Sequence, residues 1–220
     1  YFNYPKREVE INYEPVNILY EDAFLIAAFK PPFLLVHDDG NSQDTLQARI
    51  NGYLQLNGNK YPAQAIHRID YETSGLVLFC KHPFFQAYCD KNMEEHHIKK
   101  DYIALVQGHT NYKNKKIISN IARDRHNAKK MIIHPNGKES ISIFNTLKNY
   151  KDYSLIQVTI LTGRKHQIRV QCASLKHPIL NDSLYGGKKI DNTGLLLQSH
   201  HIQFNDVDIT CPQEKRFIRK

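Results

Sequence analysis

His67-Arg68-Ile69-Asp70-Tyr71-Glu72-Thr73-Ser74-Gly75-Leu76-Val77-Leu78-Phe79-Cys80 joins a polar stretch, dense in functional groups, to an uninterrupted apolar run. Residues 75–80 are strand-sized and lack polar alternation, so a strand buried on both faces is expected there. A carboxylate set just before such a strand is held in position yet can face a cleft. Thr73 and Ser74 can bond local backbone groups, and Gly75 tolerates a tight turn. A plain surface turn with Arg68 and Asp70 paired in solvent is the competing reading.

Working outward, Ile18-Leu19-Tyr20 and residues 23–29 read as β-prone runs split by Glu21-Asp22, and Lys30-Pro31-Pro32 stops the second. Asp44 can cap a helix carrying Leu46, Ile50 and Tyr53/Leu54 on one stripe, ending at Asn57-Gly58. On the other side, Pro83 suits the first turn of a helix whose apolar side holds Phe85, Tyr88/Cys89 and Met93. Residues 102–107 and 140–146 read as strands. So do residues 153–161, where Ile156, Val158 and Ile160 alternate with Gln157 and Thr159. Thr162-Gly163 turns into a helix with Ile168, Cys172 and Leu175 on one face, before Pro178. Leu195-Leu196-Leu197 and Ile202-Gln203-Phe204 are the last apolar stretches. Strands outnumber helices without alternating with them. The fold class is therefore α+β, a largely antiparallel mixed β-sheet flanked by helices. Residues 1–16, polar and holding Pro5 and Pro15, read as an extended lead-in to one domain over residues 17–220.

With 41% hydrophobic and 24% charged residues, the 220-residue chain is globular in composition. Its net charge of +8 favours a polyanionic partner: RNA, DNA or an acidic membrane face. No apolar run approaches the roughly 18 residues that span a bilayer, and the opening residues 1–7 lack the apolar central stretch of a secretory signal, so none is expected there. Cys80, Cys89, Cys172 and Cys211 form no CxxC pair and read as buried reduced thiols of a cytoplasmic protein. The twelve histidines include the adjacent pairs His96-His97 and His200-His201, but none has a metal-ligand spacing, so no metal site is expected. Residues 113–130 hold seven Lys/Arg against the single acid Asp124. They read as a solvated loop, or as a phosphate-binding loop that includes Lys129 and Lys130.

Two further stretches carry chemistry. Leu161-Thr162-Gly163-Arg164-Lys165-His166-Gln167-Ile168-Arg169 opens a helix with three cations and an amide, favouring a nearby anion. In Lys100-Asp101-Tyr102-Ile103-Ala104-Leu105-Val106-Gln107-Gly108, Tyr102 can serve as an aromatic platform for a base or simply pack in the core.

Taken together, the three stretches resemble the RluA family of RNA pseudouridine synthases. The family's HRLDxxTSG motif corresponds to residues 67–75 with Ile69 for Leu, KxYxALVxG to residues 100–108, and TGRxHQIR to residues 162–169. Further matches are Lys30-Pro31-Pro32 with Val36-His37, Pro178-Ile179-Leu180 with Asp182 and Tyr185-Gly186, and residues 195–199. Phe33 and Asn181 stand where the family usually has Gly, and Gln198-Ser199 replaces a common His-Ala. The resemblance implies the catalytic domain fold of these enzymes and isomerisation of uridine in structured RNA, ribosomal RNA ahead of transfer RNA. It implies Asp70 as catalytic carboxylate, Arg169 as its partner and Tyr102 stacking on the uracil and assisting proton removal. His67, Arg68, Thr73, Arg164, His166, Gln167, Leu196, Leu197, Lys129 and Lys130 are the implied RNA-binding residues, with Leu196 or Leu197 walling the base pocket. A nearby guanidinium typically lowers a carboxylate pKa by about 1–3 units, which suits chemistry that needs the ionised form. The net reaction involves no redox change and no external nucleophile, so no cofactor is expected. An S4-like RNA-binding domain, common in relatives, is expected to have no room, and a monomer is expected. A non-catalytic RNA-binding or ribosome-assembly factor and an N-glycosylase are the competing functions.

Overall fold

Eleven strands and three α-helices follow one another among the residues described by the computed structural model, 9–218 except 41 and 43. They run β1 (Asn17–Glu21), β2 (Leu25–Lys30), α1 (Leu46–Leu56), β3 (Gln64–Ala65), β4 (Ser74–Cys80) and α2 (Pro83–Glu94). Next come β5 (Lys99–Gln107), β6 (Lys115–Arg123), β7 (Met131–Ile133), β8 (Lys138–Asn149), β9 (Tyr153–Ile160) and α3 (Gln167–Ser174). The chain closes with β10 (Leu197–Phe204) and β11 (Val207–Thr210), plus short 3-10 turns at Ser183–Tyr185 and Lys215–Phe217. The first eight residues of the expected lead-in lie outside the described residues. Beyond them, Asn12 donates its N–H to Ala48 O at 2.9 Å and Asn51 Nδ2 donates to Glu10 O at 3.1 Å, laying this part of the lead-in along α1.

The strands form one sheet, ordered β1-β2-β4-β10-β5-β9-β8-β6-β7, with β3 added on β4 and β11 on β10. Its pairings are antiparallel except β4 with β10. This parallel seam pairs Ser74 with Gln198 and Gly75 with Ser199. Gly75 sits at φ +112°, and a Cβ there would lie 2.2 Å from the Ser199 carbonyl oxygen. Glycine is required by both the dihedral and the close approach. The seam thereby fixes where the polar 67–75 stretch must end.

β4 is buried along its whole length, as its apolar run predicts. Val77 and Phe79 face a core shared with Ile26 and Ala28 of β2, Leu46, Ile50 and Leu54 of α1, and Ile168 and Cys172 of α3. Leu76, Leu78 and Cys80 face the other way, toward Cys89 of α2, Ile202 and Phe204. Helices thus cover both faces of a mostly antiparallel sheet. The four cysteines are free and buried. No described helix is long and apolar enough to cross a membrane.

Two local expectations are corrected. Thr45, not Asp44, caps α1, its Oγ1 accepting from Ala48 N–H at 3.1 Å. Asp44 instead makes a two-bond ion pair with Arg49 at 2.8 and 2.7 Å. Residues 113–130 are not one loop: β6 occupies half of them and pairs with β8 from Lys115 to Ile121. Ile117, Ile118 and Ile121 supply the β-branched content, while the lysines stay in water. Residues 124–130 form the connection that leads into β7.

Candidate active site

Asp70 lies on the loop that enters β4, and buried contacts hold this loop from behind. Lys30, at the end of β2, is fully buried, and its Nζ donates to Leu34 O at 2.7 Å, Pro31 O at 2.9 Å and Tyr71 O at 3.1 Å. Burial pulls this ammonium down to about 7, opposed by the charge of Asp70. Phe33 N–H also donates to Tyr71 O, and Thr73 N–H to Asp70 O. The backbone just after Asp70 is therefore tied through Tyr71 to the end of β2 and closed into a turn by Thr73.

Arg169, in the first turn of α3, meets Asp70 through Nη1, 3.1 Å from Oδ2. Its other edge is held bidentately by Asp182, Nε to Oδ2 and Nη2 to Oδ1, both at 2.8 Å. Fork and carboxylate geometries match, so the guanidinium plane is fixed and Nη1 is left free to meet Asp70. Burial works against the Arg169 charge, but Asp182 and Asp70 outweigh it and the pKa is raised. The Tyr185 ring centre lies 5.1 Å from the guanidinium carbon. Neither Asp182 nor Tyr185 carried a role in the sequence; their place in the motif around Pro178 was the only signal.

His166 precedes α3 in a left-handed conformation, φ 54°. That turn aims its ring inward, Nε2 3.7 Å from Asp70 Oδ2 and Nδ1 2.9 Å from Tyr185 Oη. Burial pulls its pKa to about 4 against the opposing charge of Asp70, so the imidazole is neutral at pH 7. Tyr185 also accepts from Met131 N–H at 2.8 Å, which connects the Asp70–Arg169 cluster to the basic hairpin of β6 and β7.

Asp70, Arg169, Tyr102, Thr73, Leu197 and Ile160 line a groove of about 810 Å³. Burial, reinforced by the charge of Asp70, raises the Tyr102 phenol, which stays an O–H donor at neutral pH. His67, Arg68, Arg164, His166 and Gln167 line the same groove. Arg68 is exposed and sits 3.4 Å from His37 Nε2, and Arg164 Nε donates to Glu139 O at 3.0 Å.

Several of the implied RNA contacts are placed differently. Leu196 points away from the groove into a core with Leu105, Leu180 and Phe217, because neighbours on an extended chain face opposite sides. Gln167 is buried with its amide committed: Oε1 accepts from Thr162 Oγ1 and Arg164 N–H, and Nε2 donates to Ile141 O and Ser142 Oγ. It builds the turn rather than offering itself to a ligand. Lys129 and Lys130 lie outside the groove wall on the 124–130 connection, Lys130 Nζ 5.5 Å from the Tyr185 ring centre. Thr73 is 1% exposed and its Oγ1 is without a partner among the described residues.

Residues 25–174 match the family model for RNA pseudouridylate synthase. Over 178 residues the chain is 35% identical to an RNA pseudouridine synthase of Bacillus subtilis called uncharacterized, a match covering 80% of this chain and 59% of that protein. It is 32% identical over 186 residues to ribosomal large subunit pseudouridine synthase D of Haemophilus ducreyi, covering 82% and 57%. The chain thus spans about three fifths of the length of these curated relatives. Its fold is similar to that of the solved human RNA pseudouridylate synthase domain containing 1, with TM-score 0.77, 23% identity, and 92% and 85% of the two chains covered. The family match runs from β2 through α3 and includes Asp70, Tyr102 and Arg169. This chain belongs to the RNA pseudouridylate synthase family.

Proposed function

We propose that the protein isomerises uridine to pseudouridine in structured RNA, ribosomal RNA ahead of transfer RNA, with Asp70 as the catalytic carboxylate. The observation that carries this reading is the Asp70 carboxylate held by Arg169 inside the groove beside Tyr102. Relatives named as ribosomal large subunit pseudouridine synthases support the choice of RNA.

The reaction breaks N1–C1′, turns the uracil and joins C5 to C1′, with a proton leaving C5 and one gained at N1. A stacked base is out of reach, so the target nucleotide flips into the groove. Tyr102 offers a ring face and an O–H to the base, and Leu197 an apolar wall. Arg169 stabilises the charge of Asp70 and holds its orientation. Asp70 then attacks C1′, removes the C2′ proton to give a glycal, or adds to C6; each route starts from the same position. The buried free thiols fit a reducing compartment, hence the cytoplasm.

The test compares wild type with Asp70→Asn on ribosomal and transfer RNA, reading pseudouridine by mass spectrometry after derivatisation and free uracil in the supernatant. Wild type forms pseudouridine without releasing base, and Asp70→Asn, unchanged in circular dichroism, forms none. Turnover by the folded variant removes Asp70 from the mechanism, and released uracil makes the protein a glycosylase.

A further inference from the structure

Residues two apart on a strand point to one side, so Lys100 and Tyr102 of β5 both reach the groove, and both line it. Lys100 is 6% exposed. Its Nζ has one hydrogen-bond partner among the described residues, Met93 Sδ at 3.0 Å, and a thioether is a weak acceptor. Glu94 lines the same part of the groove but is exposed and makes no ion pair with Lys100 among the described residues. Burial alone lowers this ammonium to about 8.

His67 adds a second donor. Its Nε2 accepts from Leu78 N–H at 3.1 Å, so the neutral ring carries its proton on Nδ1. That Nδ1 is buried and has no partner among the described residues. Lys100 and His67 line the same groove, and the Lys100 charge disfavours protonation of the His67 ring. Buried donors without good acceptors are costly and rare in folded proteins, and an unpartnered imidazole N–H together with an ammonium held only by a thioether in one groove calls for an anion. Of the two carboxylates in the groove wall, Asp70 is held by Arg169 and Glu94 is exposed, and neither bonds Lys100 or His67 Nδ1 among the described residues. The two-residue step along β5, about 6.4–6.8 Å, sets the Lys100 position apart from that of Tyr102 by roughly the reach from a nucleoside to its neighbouring backbone group.

We propose that Lys100 and His67 form a receptor for one phosphate of the RNA backbone, the phosphodiester flanking the uridine that meets Asp70. This deepens, and rests on, the reading of the groove as a uridine site. The ammonium supplies charge, the imidazole N–H fixes direction, and the strand sets the distance to the reacting sugar. Lys100 is thereby a binding residue that sets the register of the nucleotide.

The test uses protein carrying 13C at lysine Cε, titrated with inorganic phosphate and, separately, with sodium chloride at matched ionic strength. The Lys100 resonance is identified by its loss in Lys100→Met, or in Lys100→Arg should the first variant not fold. It shifts saturably with phosphate only, and its titration midpoint rises when phosphate is bound. Lys100→Met removes a buried charge at similar volume, so it melts no lower than wild type. With RNA it raises KM about tenfold while kcat stays within threefold. A Lys100 signal indifferent to phosphate beyond the chloride response, or an unchanged KM, overturns the proposal. Phosphate binding is read without turnover: a saturable response in protein that makes no pseudouridine keeps the anion site and rejects the isomerase reading. Turnover with an indifferent Lys100 does the reverse.

Discussion

Asp182→Asn keeps the shape of the side chain that grips Arg169 and removes its charge. In the wild type both bonds are 2.8 Å long, the Asp182 side chain is inaccessible, and Arg169 is 5% exposed. Asparagine retains one carbonyl oxygen for one of the two N–H groups and presents an NH₂ to the other, so one buried donor loses its acceptor. Removing one partner of a buried ion pair costs about 3–5 kcal/mol. The remaining Asp70 contact at 3.1 Å and the isosteric replacement place Asp182→Asn near the lower end. At roughly 2–4 °C per kcal/mol for a chain of this size, the melting temperature falls by about 6–12 °C. Arg169, freed on one edge, rotates toward Asp70 and shifts the carboxylate, and a displacement of about 1 Å at a reacting group lowers turnover about 10²-fold. Thermal melts by circular dichroism and pseudouridine yield at saturating RNA, both well below the melting temperature, read the two effects separately. A variant that melts within 2 °C of wild type and retains full turnover would show that Asp182 neither stabilises the fold nor positions Arg169.

Stability falls with acid. Folded His67 stays neutral down to about 3, through burial and the Lys100 charge, and folded His166 down to about 4. The unfolded chain takes up both protons near 6.5, so between about 6.5 and 4 it binds more protons and the native state loses ground. Each ring contributes up to about 2 kcal/mol at pH 5, less for partial exposure, so the melting temperature drops by roughly 5–10 °C from pH 7. An equal melting temperature at the two pH values would contradict this. Leu196→Ala costs about 2–5 kcal/mol in urea denaturation and leaves KM unchanged, whereas Leu197→Ala raises KM as well. Matching KM values for the two variants would place both leucines on the same side of the chain. Replacing Lys129 and Lys130 together by alanine flattens the salt dependence of RNA binding by about 1.4 in log–log slope if each lysine meets one phosphate of a single strand. An unchanged slope assigns both to solvation.

The doubly buried β4 was legible in the sequence because burial on both faces demands a continuous apolar run, and residues 75–80 have one. β9 was legible for the opposite reason, with alternation marking one covered face. β6 was not, because its charged residues dominate a count of composition while its three isoleucines carry the pairing. β3, β7 and β11, two to four residues long, are too short for any period to register. The α1 cap moved by one residue because Asp44 and Thr45 are both good caps, and Arg49 draws Asp44 into an ion pair.

Asp70, Tyr102 and Arg169 could be named from sequence, but what holds them could not. Arg169 and Asp182 are thirteen positions apart, joined across a loop whose path no local rule dictates. The two departures from the family's glycines show the same dependence on backbone. Phe33 and Asn181 have φ of 63° and 66°, a region that costs an ordinary L-residue about 1–2 kcal/mol. Asn181 tolerates it and offsets the strain with side-chain bonds to Asp191 at 2.7 Å, Gly194 O at 2.9 Å and Ile190 N–H at 2.8 Å. The Phe33 ring has an edge-to-face contact with Tyr71, ring centres 5.8 Å apart, worth about 0.5–1.5 kcal/mol. Its N–H nevertheless anchors Tyr71 O, the residue after Asp70. The strain at position 33 is therefore tied to the Asp70 loop itself. A fold that retains phenylalanine there holds Asp70 in place with a backbone conformation that favours glycine, and the Lys30 ammonium beneath supplies the rigidity that makes this tolerable.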